Sequence, residues 1–113
     1  MHELSLALEV IELAQREADK NKVVEIQEIL IEVGDLSGVE ADAFQAALEL
    51  LVKDSILDGA MLKINRIPGN GNCYTCRQEF IMNNRLDTCP VCHSFPSEIK
   101  GGDEFRVISL LAV

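Results

Sequence analysis

At 113 residues and 48% hydrophobic content, the chain has room for one modest domain, or for a domain carrying a small inserted module. Its formal net charge of −9 lies almost wholly in the front half, where residues 1–58 hold fourteen Asp and Glu against four Lys and Arg; residues 59–113 hold five against six. Such an acidic front repels phosphate backbones and argues against a primary nucleic-acid role, and no apolar run approaches the roughly 18 residues of a membrane span.

The chain starts Met1-His2-Glu3-Leu4-Ser5, without the basic segment of a secretory leader, and the sequence places the protein in the cytoplasm. Leu4, Ala7, Leu8, Ile11 and Ala14 recur at helical spacing and predict a first helix ending near Asp19 to Asn21, with Leu6, Val10 and Leu13 widening its apolar face. Val23 to Val33 is rich in Val and Ile and predicts a strand. Gly34-Asp35-Leu36 breaks it. Ser37-Gly38-Val39-Glu40 then fits a capping box, in which Ser37 caps a second helix over 39–54 and Glu40 reaches back to its amide. Phe44, Ala47, Leu48 and Leu51 give that helix its core stripe.

Residues 60–67, with Ala60, Leu62 and Ile64 on one face, and residues 105–111, apolar on both faces, predict two further strands. Everything between is read as an insertion. The expected fold is α+β: a three-stranded sheet with two helices on one face, formed by residues 1–67 and 103–113, plus an inserted zinc-ribbon-like module over 68–102. The Gly-rich stretches Pro68–Asn72 and Lys100–Gly102 are expected to act as hinges.

The insertion carries Cys73-Tyr-Thr-Cys76 and, twelve residues on, Cys89-Pro-Val-Cys92. Each C-x-x-C turn lets two thiolates reach one ion, and two facing turns complete a tetrahedron, so the four cysteines predict a structural metal site, Zn(II) by preference. Such a module would be disordered without its metal. Redox-active dithiols are disfavoured by the second pair, and iron, which also takes four thiolates, is left open by spacing alone. With only Arg77 and Arg85, and the single aromatic Phe80, between its pairs, the module is a poor grip for nucleic acid. A filled shell leaves the ion no open position, so activity must lie elsewhere.

His2 offers a second donor set. Because His2 is large, Met1 is expected to stay and to carry the free amine. The amine, the His2 amide and imidazole, and the Glu3 amide could then close planar, nitrogen-rich chelate rings of the kind Ni(II) and Cu(II) prefer; a reducing cytoplasm favours nickel. On this residue alone, the plainer reading that His2 merely begins the chain carries more weight.

Taken together, Met1-His2-Glu3, Gly34-Asp35-Leu36-Ser37-Gly38-Val39-Glu40 and the paired cysteines resemble the HypA/HybF family of hydrogenase nickel-incorporation proteins, over nearly the whole chain. The resemblance implies no catalysis but a nickel metallochaperone, carrying Ni(II) as cargo toward [NiFe]-hydrogenase maturation and, in some organisms, urease. It implies a HypB-type GTPase, the hydrogenase large-subunit precursor and urease maturation proteins as partners, with a homodimer open. It implies nickel ligands at His2, assisted by the Met1 amine and the Glu3 backbone, and zinc ligands at Cys73, Cys76, Cys89 and Cys92. Glu40 and His93 are weaker nickel candidates. Some members carry a histidine two residues beyond the first cysteine pair, where this chain has Gln78; exchange of two thiolates for two imidazoles is therefore not expected. The alternative from another class is a zinc-ribbon adaptor that only joins proteins.

Overall fold

The computed structural model describes residues 2–113. Met1, and the expectation placed on its amine, lie outside the described residues. Helix α1 spans His2–Lys20 and buries Ala7, Val10, Ala14 and Ala18. Its core face is turned from the one that periodicity marked: Leu8 is 47% exposed, while the small Ala7, Ala14 and Ala18 are buried in the core. The helix ends where Lys22 adopts a left-handed conformation and the Val23 N–H bonds the Ala18 carbonyl, satisfying a carbonyl that would otherwise be orphaned.

Strand β1 (Ile26–Gly34) starts later than residue 23 because residues 21–25 are spent on that helix stop. It is the centre of a three-stranded sheet, parallel to β2 (Met61–Ile67) and antiparallel to a later strand over Phe105–Ala112. Ile29, Ile31 and Val33 point to the helix side, where they meet Phe44 and Leu48 of helix α2 (Ala41–Leu51) and the alanine stripe of α1. Phe44 packs edge-on against Phe105, with ring centroids 5.1 Å apart. On the opposite face Glu28 pairs with Lys63 and Glu32 with Arg106. The sheet therefore carries helices on one side only, which is the α+β arrangement the periodicities predict.

The second helix departs from its predicted start. Ser37 does not cap it: the Ser37 hydroxyl accepts from the Val39 amide at 3.2 Å, closing a local turn. Glu40 itself is the N-cap, its carboxylate accepting from the Asp42 and Ala43 amides at 3.3 and 2.7 Å. The C-terminus falls at Leu51 because Asp54 is left-handed and Ser55 turns its hydroxyl back onto the Val52 carbonyl.

Between β2 and the last strand the chain builds a second, antiparallel sheet, with β3 (Gly69–Cys73) between β4 (Gln78–Met82) and β5 (Glu98–Lys100). Strand β6 (Phe105–Ala112) then returns to the first sheet with a bulge near Ile108. The Gly-rich stretches that read as hinges are sites of close backbone packing. Gly34 donates to the Glu104 carbonyl and Leu36 to the Gly102 carbonyl, each at 2.6 Å. A Cβ on Gly34 would collide with Gly102 backbone, and one on Gly102, which has φ +83°, would come within 2.6 Å of the Gly69 Cα. Leu36 fills the seam and is 2% exposed.

Candidate metal centres

Strand β3 delivers Cys73 at its end, and a tight turn brings Cys76 back before β4 begins at Gln78, opposite Cys73 in the ladder. The second pair sits on a loop closed by the Cys89 amide on the Ser94 carbonyl and the His93 amide on the Cys89 carbonyl, both at 2.8 Å. Each turn finishes with a left-handed residue directly after its second cysteine, Arg77 at φ 58° and His93 at φ 62°. This repeated geometry points the paired sulfurs inward. All four Sγ atoms lie within 4.8 Å of one another, with Cys73 and Cys89 buried and Cys76 and Cys92 half-buried.

The nearest approaches run between the turns, Cys73 to Cys92 at 3.4 Å and Cys76 to Cys89 at 3.3 Å, and none of the four is in a disulfide. A tetrahedron with Zn–S bonds of about 2.3 Å has edges of about 3.8 Å, so this cluster is already close to the size a zinc ion requires. The environment also prepares the thiolates. Hydrogen bonds from the Ser94 hydroxyl and amide lower the Cys92 thiol to about 6. Burial pushes the Cys89 thiol up, but the Cys92 and Val91 amides outweigh it and leave it lowered. The hydrogen bond with Cys89, followed by desolvation, pushes Cys76 up to about 12, so without metal this thiol keeps its proton. Cys73, Cys76, Cys89 and Cys92 would hold Zn(II) in a closed shell, which ties the module together and supplies no Lewis-acid chemistry.

His2 is exposed in the first turn of α1. As the first residues of helix α1, His2 and Glu3 have amides that the helix ladder leaves without an intrahelical carbonyl partner. Glu3 has a role that the sequence did not reveal: its carboxylate accepts the Glu40 amide at 3.2 Å and lies 4.0 Å from His2 Nδ1. That amide first, and Glu3's own amide second, hold the Glu3 carboxyl below the usual carboxylate range, with the nearby imidazole a smaller influence. The starts of both helices are thereby tied together beside His2. Among the described residues the four cysteines are the one group of three or more converging His, Cys, Asp or Glu side chains. Neither the Glu3 and Glu40 carboxylates nor His93, which is exposed, forms a second such group.

The sequence profile of the family described as "Hydrogenase/urease nickel incorporation, metallochaperone, hypA" matches residues 1–112. The chain belongs to the HypA family. It is 37% identical over 110 residues to the hydrogenase maturation factor HypA of Geobacter metallireducens, covering 97% of each chain. It is 38% identical over 111 residues to the HypA of Parabacteroides distasonis, covering 98% of this chain and 96% of that one. Its fold matches the solution structure of the Ni metallochaperone HypA from Helicobacter pylori with a TM-score of 0.65, 27% identity and coverage of 98% and 97%. Membership makes this a metal-binding maturation factor of the metallochaperone class and not an enzyme. None of its helices is long and apolar enough to cross a membrane.

One further set of residues in this HypA-family chain escaped the sequence reading. Asp35 accepts from Asn83 Nδ2 at 2.7 Å and sits 3.5 Å from Arg66 Nε, while Arg85 Nε donates to the Leu36 carbonyl at 3.0 Å. The cysteine module is thus clamped onto the segment that leads to Glu40. Contacts between residues 48 and 49 positions apart leave no local pattern to find.

Proposed function

We propose that the chain binds Ni(II) at its N-terminus, through the Met1 amine, the His2 amide and imidazole and the Glu3 backbone, and passes it into [NiFe]-hydrogenase maturation. In this reading a HypB-type GTPase and the hydrogenase large-subunit precursor are its partners, with urease a second client in some organisms. Residues 1–67 and 103–113 form the nickel-handling part, residues 68–102 the zinc module, and the work is done in the cytoplasm.

The observation that carries the reading is the family match through residues 1–112, which spans both His2 and the cysteines. Chemistry supports the division of labour. A cargo site must release its ion, and an exposed terminal chelate with open edges allows stepwise ligand exchange, whereas a closed thiolate cage would trap it. Amides outside the helix ladder can lose their protons to nickel without breaking a helical hydrogen bond.

Nickel titration of wild type, His2→Ala and a form extended by one residue before Met1, all at equal zinc content, tests it. His2→Ala should abolish tight binding, and the extension, which turns the amine into an amide, should weaken it substantially. Wild-type affinity in His2→Ala would move the site elsewhere, with His93 next in line, and a wild type without tight nickel binding would leave the adaptor reading standing.

A further inference from the structure

The Gly34–Glu40 segment is held at both ends by parts of the molecule remote in sequence. At its start, Asn83 and Arg85 of the cysteine module bond the Asp35 carboxylate and the Leu36 carbonyl at 2.7 and 3.0 Å, and Arg66 of β2 flanks the same carboxylate. The Asp35 side chain is only 10% exposed, so these bonds are partly shielded from water. Leu36 is buried in the seam between Gly69 and Gly102, and its amide is bound to the Gly102 carbonyl. At its far end the Glu40 amide is bound by the Glu3 carboxylate, one residue from His2.

What lies between is short and bonded on both sides of the exposed, left-handed Gly38. The Ser37 amide bonds the Gly34 carbonyl at 3.0 Å, and the Ser37 hydroxyl takes the Val39 amide. Glu40 is then fixed by its own side chain on the first amides of α2. A rotation of the cysteine module that carried Asn83 and Arg85 away would free Asp35 and Leu36, and with them the turn that aims the Glu40 N–H at Glu3.

We infer that Asn83, Arg85 and Asp35 are positioning residues for the N-terminal metal site: the docked cysteine module holds the Glu40 amide in place, and that amide holds Glu3 and so the His2 chelate. None of the three would touch nickel. The inference rests on the N-terminal nickel reading above, and one half of its test is independent of nickel.

The variants are Asn83→Ala/Arg85→Ala, and separately Asp35→Ala, which leaves the module's own residues unchanged. Both are made in the full zinc-loaded chain, with zinc content confirmed. By NMR hydrogen exchange, the Glu40 amide should lose protection in both variants while amides inside α2 keep theirs. Nickel affinity should fall about five- to tenfold, the lower end of the range of a typical coupling between sites. Wild-type protection at Glu40 in both variants would overturn the coupling whatever nickel does. Loss of protection with unchanged nickel affinity would overturn the positioning role. A wild type that binds no nickel at His2 would instead remove the earlier reading, and the positioning role with it.

Discussion

Gly34→Ala is a small change with a large expected effect, because the added methyl meets only backbone. Its Cβ would overlap the Gly102 carbonyl and approach the Glu104 nitrogen to 2.7 Å, and no side chain is there to rotate away. Relief requires the segment over residues 102–104, which leads into β6, to move off β1. That movement stretches the Gly34 to Glu104 and Leu36 to Gly102 hydrogen bonds, each 2.6 Å long, and loosens the packing around Leu36. Two buried hydrogen bonds at about 1 kcal/mol each, together with an overpacking cost of about 1–3 kcal/mol, give a loss of roughly 3–5 kcal/mol. Urea unfolding followed by far-UV circular dichroism would measure it, with the slope checked against wild type so that the midpoint shift can be read as stability. Zinc content should remain one ion per chain, since the cysteines are not involved. A loss below about 0.5 kcal/mol, the scatter of ordinary surface substitutions, would refute the claim that this seam is closely packed.

The other predictions concern the metals and the helix starts. Cys73→Ala or Cys92→Ala should abolish zinc binding and the ordered amide signals of residues 69–100, while helical ellipticity from α1 and α2 persists; metal analysis with NMR reads both. Glu40→Ala should cost about 1 kcal/mol through loss of the cap, whereas Ser37→Ala should cost less than half of that, and denaturation would show the order reversed if the S-x-x-E reading were right. Because the Glu3 carboxyl is lowered by the Glu40 amide, its contribution is present above the ordinary carboxylate value of 4.5 and is lost as pH falls through the lowered folded value. The Glu40 amide shift should therefore carry a titration step below pH 4.5 in wild type that is missing in Glu3→Gln.

The elements of the first sheet were legible because each buries one face, and burial writes a period into the sequence. Phe44 and Leu48 on α2, or Leu62 and Ile64 on β2, carry that signal plainly. The cysteine spacing was legible for a different reason, since ligand geometry fixes it. Strand β3 was not: Gly69-Asn70-Gly71-Asn72 reads as a loop because it is ordered by pairing beside the thiolate cluster and not by an apolar stripe. Glu40 was misassigned because glutamate is an uncommon N-cap and Ser37 occupies the usual slot three residues earlier. Gly69 and Gly102 were taken as hinges because glycine serves both flexibility and close approach, and only the neighbouring strand distinguishes the two.

The topology also orders events during synthesis. Residues 1–67 contain both helices, β1 and β2, yet β1 acquires its second neighbour only when β6, the last strand, arrives. Until then one edge of the central strand is an open template for pairing with other chains. Residues 68–104 must be spanned before β6 can dock, and pairing of β3 with β5, down to Asn70 opposite Lys100, draws the two ends of that span together. By the scaling of closure entropy with loop length this spares roughly 1 kcal/mol. A nascent chain starved of zinc would leave that clip unfastened and β1 unguarded for longer, so zinc supply should govern how much of this protein aggregates during expression, well away from the cysteines themselves.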